Sequence, residues 1–378
     1  MTEKPSFRFG IEEELFLADA RTRGTPRAGT TRAFHSEVAR RLPDAEREML
    51  QSQVEISTPP SVSVEAARDM LAELRSGLAA VASGHGLLVF AAGTHPVARW
   101  TRQTATPAER YRRLMGELGM LGARNMVCGL HVHVEVPEPD RRVDLMNRLL
   151  PFTPLLLALS ASSPFWQQQR TGLASYRLAA YRELPRTGLP DLFDGWADYA
   201  RYVRVLEKAG AIRDASFLWW VMRPSAKYPT LELRVADSCT RLADAIGIAA
   251  LYRCLVRLVV REPALHGGLT GASRAIVAEN LWRAQRDGSR ADLIDEADES
   301  TASVADRLAT LLALVAEDAD ALGCGPALEA LRDVARLGTS ADRQITIVDA
   351  APSRGRSARE GLSDVVDWLA AETTSSTA

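Results

Sequence analysis

Four short segments of the chain alternate apolar and polar residues with the period of two that is typical of β-strands. In residues 7–19 the apolar side chains point to one face and Glu12 and Glu14 to the other, while Glu13 is an acid on the apolar face. The other three segments are residues 50–57, 129–136 and 230–237. This pattern predicts a sheet with one buried face and one polar face.

The polar faces of these segments carry Glu, His, Gln and Arg, with no lysine and little threonine, whereas solvated sheet faces favour Thr, Lys and Arg. Glu12 and Glu14 would lie about 7 Å apart on one strand, where two ionised carboxylates repel by roughly 2 kcal/mol. A divalent cation turns that repulsion into attraction, and carboxylates with an imidazole suit Mg²⁺ or Mn²⁺. Each residue alone could sit on a solvated strand, but four such segments together favour a site for cations and a bound polyphosphate. The residues concerned are Glu12, Glu14, Gln51, Gln53, Glu55, His131, His133, Glu135, Glu232 and Arg234.

Composition excludes several other classes of protein. The 378 residues carry a net charge of −2 without a basic stripe, so no nucleic-acid partner is expected. Neither the Gly-Lys-Ser/Thr of a Walker A loop nor Gly-x-Gly-x-x-Gly occurs, so a nucleotide would bind without these phosphate loops. The apolar run 149–161 is too short to span a membrane, and no apolar leader follows the first residues. Four scattered cysteines fit a reduced cytoplasmic setting.

The order of elements along the chain predicts an α+β fold. Strand patterns and helices share residues 1–241, and helices dominate 242–378, which predicts a largely antiparallel sheet with helices on one face. A helix follows Ser63, and a capping box at Thr106–Glu109 predicts the start of another. Later helices are expected at 240–262, 272–286, 301–322, 326–337 and 358–371, with the acidic stretch 292–300 as a solvated loop.

Seven stretches of this sequence resemble the carboxylate–amine ligases related to glutamate–cysteine ligase, the type 2 family. They occur in order between residues 10 and 241: GIEEE, MLQSQVE, AAGTHP, CGLHVHVEVP, LSASSPFW, RPSAKYPTLELRVAD and SCTR. The resemblance implies a single catalytic domain over 1–378, like that of glutamine synthetase, with a curved antiparallel sheet around a cavity for ATP and Mg²⁺ or Mn²⁺. It also implies small-molecule carboxylate and amine substrates, and a homodimer would be ordinary for such a chain.

The same resemblance implies roles for individual residues. The metal-ligand positions are Glu12, Glu14, Glu55, His131 and Glu232, with Glu48 a weaker candidate. Arg234 matches a phosphate-contacting arginine, and Arg223 and Lys227 are expected as further nucleotide contacts. Arg234, Arg223 and Glu55 are the expected catalytic residues. The substrate side would be lined by Gln53, His133, Glu135, Arg170 and Arg177.

One segment departs from the family pattern. The family commonly has an acid before the Thr-Gly that follows SPFW and a tyrosine after it, whereas this chain has Arg170 and Leu173 there. An acid would pair with an amino group, but an arginine favours a carboxylate or a phosphate.

The expected reaction is ATP-dependent. A carboxylate, glutamate or a similar molecule, is activated as an acyl phosphate and then coupled to an amine, giving an amide, ADP and phosphate. The His-x-His strand leaves a metal-dependent amidohydrolase as an alternative, and a non-catalytic binding protein on the same scaffold is a third.

Overall fold

The computed structural model describes residues 6–375 and has an α+β fold, as the sequence predicts. The strands are β1 (Phe9–Asp19), β2 (Ala45–Arg47), β3 (Gln53–Ser57), β4 (Leu87–Phe90), β5 (Leu130–Glu135), β6 (Phe165–Trp166), β7 (Gln169–Arg170), β8 (Thr187–Gly188), β9 (Trp219–Trp220), β10 (Met222–Pro224), β11 (Thr230–Leu233), β12 (Asp292–Asp295) and β13 (Ser300–Ser303).

The helices are α1 (Ala28–Arg41), α2 (Val64–Gly84), α3 (Glu109–Leu118), α4 (Met120–Arg124), α5 (Pro139–Leu149), α6 (Thr153–Ser160), α7 (Tyr176–Tyr181), α8 (Trp196–Lys208), α9 (Leu242–Arg261), α10 (Gly271–Asp287), α11 (Val304–Leu314), α12 (Ala316–Leu322), α13 (Gly325–Leu337), α14 (Ser340–Asp349) and α15 (Ala358–Thr373). Short 3₁₀ helices cover Trp100–Arg102, Leu150–Phe152, Ala215–Phe217, Gly288–Arg290 and Pro352–Arg354.

Seven strands form one antiparallel sheet in the order β10-β11-β5-β1-β3-β2, with β4 beside the second half of β1. β1 is central because its 11 residues are long enough to pair with β5 along its first half, with β3 along its middle and with β4 along its last four residues. All seven strands precede residue 241, as the sequence predicts, although β12 and β13 form a separate hairpin among the later helices.

The apolar face of the sheet is buried under helices α2, α5 and α9. Ile11, Val54, Val132 and Leu231 come from four neighbouring strands and are fully buried in this core. Ser63 caps α2 by accepting a hydrogen bond from the amide of Ala66, as predicted. The sequence alternation therefore assigns the buried face correctly and leaves the polar face for a site.

Glu13, the acid on the apolar face, forms a fully buried ion pair with Arg75 of α2. Arg75 also donates hydrogen bonds to the backbone carbonyls of Cys239 (2.7 Å) and Thr240 (2.9 Å). The pair thus ties the central strand to α2 and to the segment that follows β11. A charge at this position is compatible with the core only because its partner and the carbonyls satisfy it.

Three local predictions were wrong. The helix after Thr106 begins at Glu109 with Ala108 as its uncapped N-cap residue, because the Thr106 hydroxyl instead bonds the carbonyl of Glu48. The stretch 292–300 is not a loop but the β12–β13 hairpin, whose turn is held by Asp295 accepting from the amide of Ala297. The helix expected over 301–322 is divided into α11 and α12, and α14 was not predicted.

The structure buries all four cysteines as free thiols. Within residues 6–375, the structure contains no helix of the length and apolarity that a membrane span requires.

His95 is fully buried and neutral in the folded state, which gives an expected pH dependence of stability. Its Nδ1 accepts the amides of Val97 and Ala98, and its ring packs edge-on against Phe16 and Phe90. Burial lowers the pKa of His95 from 6.5 to about 3. As pH falls, the unfolded state protonates His95 near pH 6.5, well before the folded state does. The stability linked to His95 is therefore present above pH 6.5 and is lost as pH falls below it.

Replacing His95 with Asn removes this titration but keeps an acceptor for the two amides. The variant should be less stable than wild type at pH 7.5, because ring contacts are lost. At pH 5 that difference should shrink by about 2 kcal/mol, the cost of deprotonating the wild-type imidazole on folding. Urea unfolding at both pH values measures this, and a difference that does not change with pH would contradict the assignment.

Candidate active site

The register of the antiparallel sheet brings the polar residues of the four predicted strands side by side. Glu12 lies opposite His131, Glu14 lies opposite Glu55, and Glu232 lies opposite His133. These six side chains line one cavity of about 300 Å³ on the polar face. Like charges directly opposite each other, as at Glu14 and Glu55, destabilise a sheet unless something compensates them.

Glu12 lies between the two histidines of β5. Its carboxylate is 3.8 Å from Nδ1 of His131 and 3.4 Å from Nε2 of His133. Although burial opposes it, contact with both imidazoles holds the pKa of Glu12 well below its usual range. Burial lowers the pKa of His131 to about 3, which keeps that ring neutral, the form in which imidazole binds a metal.

Glu14 and Glu55 form an acidic group with Glu48, the weaker candidate of the sequence. Burial and the neighbouring Glu48 raise the pKa of Glu14 to about 7, although Arg177 opposes the rise. Burial, followed by Glu48 and Glu12, also raises the pKa of Glu55 well above its usual value. At Glu14 and Glu55, burial and the neighbouring acids thus outweigh the positive charge that reaches the two carboxylates.

Glu232 receives two arginines on its single carboxylate. Arg223 donates to it from Nε (2.7 Å) and Nη2 (3.1 Å), and Arg234 donates from Nη1. Although burial opposes it, Arg223 and then Arg234 lower the pKa of Glu232 well below its usual value. The remaining Nη1 of Arg223 donates to backbone carbonyls, whereas the buried Nε of Arg234 makes no hydrogen bond with any residue that the structure describes. Arg234 is therefore the better placed of the two for a further ligand.

Arg177 of α7 brings another buried guanidinium to the cavity. Its guanidinium lies against Gly129. A Cβ atom on residue 129 would be only 2.1 Å from Nη2 of Arg177, so residue 129 must be glycine. The Arg177 side chain donates from Nη1 to the carbonyl of Arg234 (3.2 Å), and its Nε is buried without a hydrogen-bond partner in the described part of the chain. Among residues 6–375, no carboxylate lies within 4.0 Å of it, so its charge is available to an anion.

A second, largely apolar cavity of about 320 Å³ adjoins the first, and the two share Glu12, His133 and Tyr228 as wall residues. This second cavity lies where β1 and β11 begin and where β3 and β5 end. The remaining wall residues are Arg8, Phe9, Gly10, Ile11, Ser57, Thr58, Pro60, Glu135, Pro229 and Thr230.

The residues present fit divalent cations. Three sets of side chains each offer ligand atoms within 4.8 Å of one another: Glu12 with Glu55 and His131, Glu12 with His133 and Glu232, and Glu14 with Glu48 and Glu55. Oxygen-rich sets with one imidazole suit Mg²⁺ or Mn²⁺. Nε2 of His131 and Nε2 of His133 are buried without hydrogen-bond partners among the described residues. The pKa values of Glu14 and Glu55 are raised, and a bound cation would lower them.

Other predicted residues lie in different surroundings. Gln53 lines the first cavity, but its amide donates to the carbonyl of Val127 (2.6 Å), so it fixes that loop. Lys227 lies at the rim with its ammonium over the ring of Tyr228, and Glu135 lines the second cavity.

Arg170 lies outside both cavities and pairs with Asp349 of α14 at 3.2 Å, a position that does not support its predicted contact with substrate.

Sequence reasoning missed several wall residues. Tyr181, Tyr228, Trp219 and Glu46 line the first cavity. Glu46 could have been found, because β2 pairs it with Glu55 and its side follows from the same alternation. The aromatic residues carry no such signal, since Tyr181 lies in a short helix, Trp219 in the two-residue strand β9 and Tyr228 in a turn.

Comparisons with known proteins agree with this architecture. Residues 8–367 match the family described as glutamate-cysteine ligase family 2. A protein of Bradyrhizobium diazoefficiens named "Putative glutamate--cysteine ligase 2" is 45% identical over 372 residues, covering 98% of this chain and 84% of its own length. A protein of the same name from Rhodospirillum rubrum is 42% identical over 375 residues, covering 98% and 96%.

Two solved structures share the fold at low sequence identity. A glutamate–cysteine ligase of Francisella tularensis, solved in complex with AMP, has a TM-score of 0.69 at 13% identity and covers 99% of this chain and 90% of its own. A bifunctional glutathione synthetase of Pasteurella multocida has a TM-score of 0.68 at 16% identity; it covers 97% of this chain, which spans 52% of that longer protein.

The fold and the relatives together define an ATP-dependent carbon–nitrogen ligase. More specifically, the chain belongs to glutamate–cysteine ligase family 2. The amidohydrolase alternative finds no support, because the strands of the main sheet pair antiparallel and do not alternate with helices as in a parallel barrel.

Proposed function

We propose that this enzyme activates a small carboxylate, glutamate or a similar molecule, with ATP and couples it to an amine. The observation that carries this proposal is the convergence of Glu12, Glu14, Glu55 and Glu232 with His131 in one cavity beside Arg177 and Arg234. Carboxylates that bind cations, next to arginines that bind anions, suit a reaction between a nucleoside triphosphate and a carboxylate.

The triphosphate would lie over the carboxylates, and the base would enter the apolar second cavity. The shared wall of Glu12, His133 and Tyr228 supports this arrangement, because a nucleotide that crosses it has its charged part in the polar cavity. Divalent cations held by Glu12, Glu14, Glu55, His131 and Glu232 would neutralise phosphate charge. Glu48 is a further candidate ligand.

The protein's own groups act mainly by position and charge. Arg234, with a free Nε, would contact the transferred phosphoryl group, while Arg223 would hold Glu232 and so orient Arg234. Arg177 would bind the carboxylate substrate and keep it close to the phosphoryl group. The carboxylate oxygen attacks the γ-phosphorus, ADP leaves, and the amine then displaces phosphate from the acyl phosphate. No nucleophilic side chain is needed.

A substrate panel tests the proposal. Purified protein with ATP and Mg²⁺ or Mn²⁺ is given glutamate and related acids, each with cysteine or another amine, and ADP release and amide products are measured. ADP release that requires both a carboxylate and an amine is the expected result. Amide hydrolysis without nucleotide would contradict it, and calorimetry that detects neither ATP nor metal binding would favour a non-catalytic protein.

Gly10 provides a prediction that is specific to the base. It lines the second cavity, and a Cβ atom there would be 3.5 Å from the carbonyl of Thr58, an ordinary contact. Gly10→Leu should fill the cavity and raise the KM for ATP by at least about tenfold, with less effect on the KM for the carboxylate. Gly84→Leu, at the open end of α2, is the control. An unchanged KM for ATP in Gly10→Leu would place the base elsewhere.

A further inference from the structure

Asp237 is a fully buried carboxylate at which three of the sequence stretches meet, and the proposed chemistry does not use Asp237 itself. Its Oδ2 accepts hydrogen bonds from the amide of Ser162 (3.0 Å) and the hydroxyl of Ser163 (2.7 Å). Its Oδ1 accepts from the hydroxyl of Ser175 (2.9 Å). Asp237 therefore joins the end of the β11 segment to both ends of residues 162–175.

The stretch around Gly93 completes this centre. A Cβ atom at Gly93 would lie 2.6 Å from Cγ of Asp237, so only glycine leaves room for the carboxylate. The amide of Gly93 also donates to the hydroxyl of Ser162 at 2.8 Å. These contacts hold the carboxylate in one position, and no polar atom of the catalytic cavity is needed to explain them.

The serines connect Asp237 to Arg177. The hydroxyl of Ser163 donates to Asp237 and accepts the backbone amide of Arg177 at 3.0 Å, and Ser175 lies two residues before Arg177. The guanidinium of Arg177 then lies against Gly129 in the cavity with Nε free. Burial raises the pKa of Asp237, and the nearby charge of Arg177 and the serine hydroxyls oppose that rise.

We propose that Asp237 is a positioning residue for the carboxylate substrate: through Ser163 and Ser175 it sets the place of Arg177, which binds that substrate. This rests on the proposed function of Arg177. Asp237 holds the start of α7 directly through Ser175 and indirectly through Ser163, which accepts the amide of Arg177. This keeps the guanidinium within the narrow range of positions that substrate binding requires.

The test compares Asp237→Asn with Arg177→Lys in kinetic assays with the best substrates of the panel. Asp237→Asn should raise the KM for the carboxylate by about tenfold, with kcat and the KM for ATP changed less than about threefold. In an Arg177→Lys background the same change should have no further effect, because both act through one contact. Thr94→Val removes a nearby buried hydroxyl that bonds the carbonyl of Phe165, and it should leave the KM unchanged.

Several outcomes would overturn the proposal. An equal rise in the KM for the carboxylate in Asp237→Asn and in Thr94→Val would show a merely structural role. Additive effects of Asp237→Asn and Arg177→Lys on that KM would show the same. A crystal structure of Asp237→Asn with Arg177 still in place against Gly129 would also overturn it, whether or not the enzyme turns over. If Asp237→Asn does not fold, Ser175→Ala replaces it. Failure of the proposed function itself would look different, because the wild-type enzyme would then show no carboxylate-dependent ADP release.

Discussion

Glu12→Gln should lower kcat/KM for carboxylate- and amine-dependent ADP release by at least about 100-fold. Glu12 takes part in two of the three ligand sets of the cavity, one with Glu55 and His131 and one with His133 and Glu232. Glutamine has the same shape but no charge, so it would weaken both sets while filling the same space. Metal affinity should fall together with activity, and titration of Mn²⁺ by electron paramagnetic resonance measures it.

The fold should tolerate this change. Glu12 faces the cavity, and glutamine keeps its shape there, so the variant should keep the wild-type fold and unfold in one cooperative transition. Glu73→Gln is a matched control, because Glu73 is exposed on α2. Wild-type kcat/KM and wild-type Mn²⁺ affinity in Glu12→Gln would mean that Glu12 is not a ligand.

Breaking the ion pair between Glu13 and Arg75 should cost about 3–5 kcal/mol of unfolding free energy in either single variant, Glu13→Leu or Arg75→Leu. Each leaves the other charge buried, and both partners are at most 1% exposed. Arg75→Leu also removes the donors to the carbonyls of Cys239 and Thr240. The effect is large because no water can reach the charge that remains.

The double variant separates the charges from their packing. With both residues changed to Leu, no unpaired charge remains, so the double variant should lose less than the sum of the two single losses by at least about 1 kcal/mol. Urea unfolding measures all four proteins, and Arg41→Leu, at the exposed i,i+4 pair with Glu37, is the control. Single losses below about 1 kcal/mol, as for an exposed pair, would contradict this account.

Alternation along four segments was sufficient to predict the four neighbouring strands β11, β5, β1 and β3, and the grouping of Glu12, Glu14, Glu55 and His131 on one face. That inference works because a strand has two faces and one of them must be apolar. The resemblance to a family added chemical roles, which spacing alone does not provide.

Partners that are distant in sequence could not be predicted. Glu13 breaks the apolar alternation of β1, and its partner Arg75 lies 62 residues further along the chain. Arg170 occupies a position where a family motif suggests substrate contact, yet the chain turns it toward Asp349 on a helix that was not predicted. The link from Asp237 to Arg177 likewise depends on serines that are brought together only by folding.

The most direct measurement is a crystal structure with Mn²⁺ and a non-hydrolysable ATP analogue, using anomalous scattering to locate the metal. Manganese peaks bounded by Glu12, Glu55, His131 and Glu232, with the triphosphate beside them and the base in the second cavity, are the predicted result. Manganese bound elsewhere, or an analogue that leaves this cavity empty, would contradict the account.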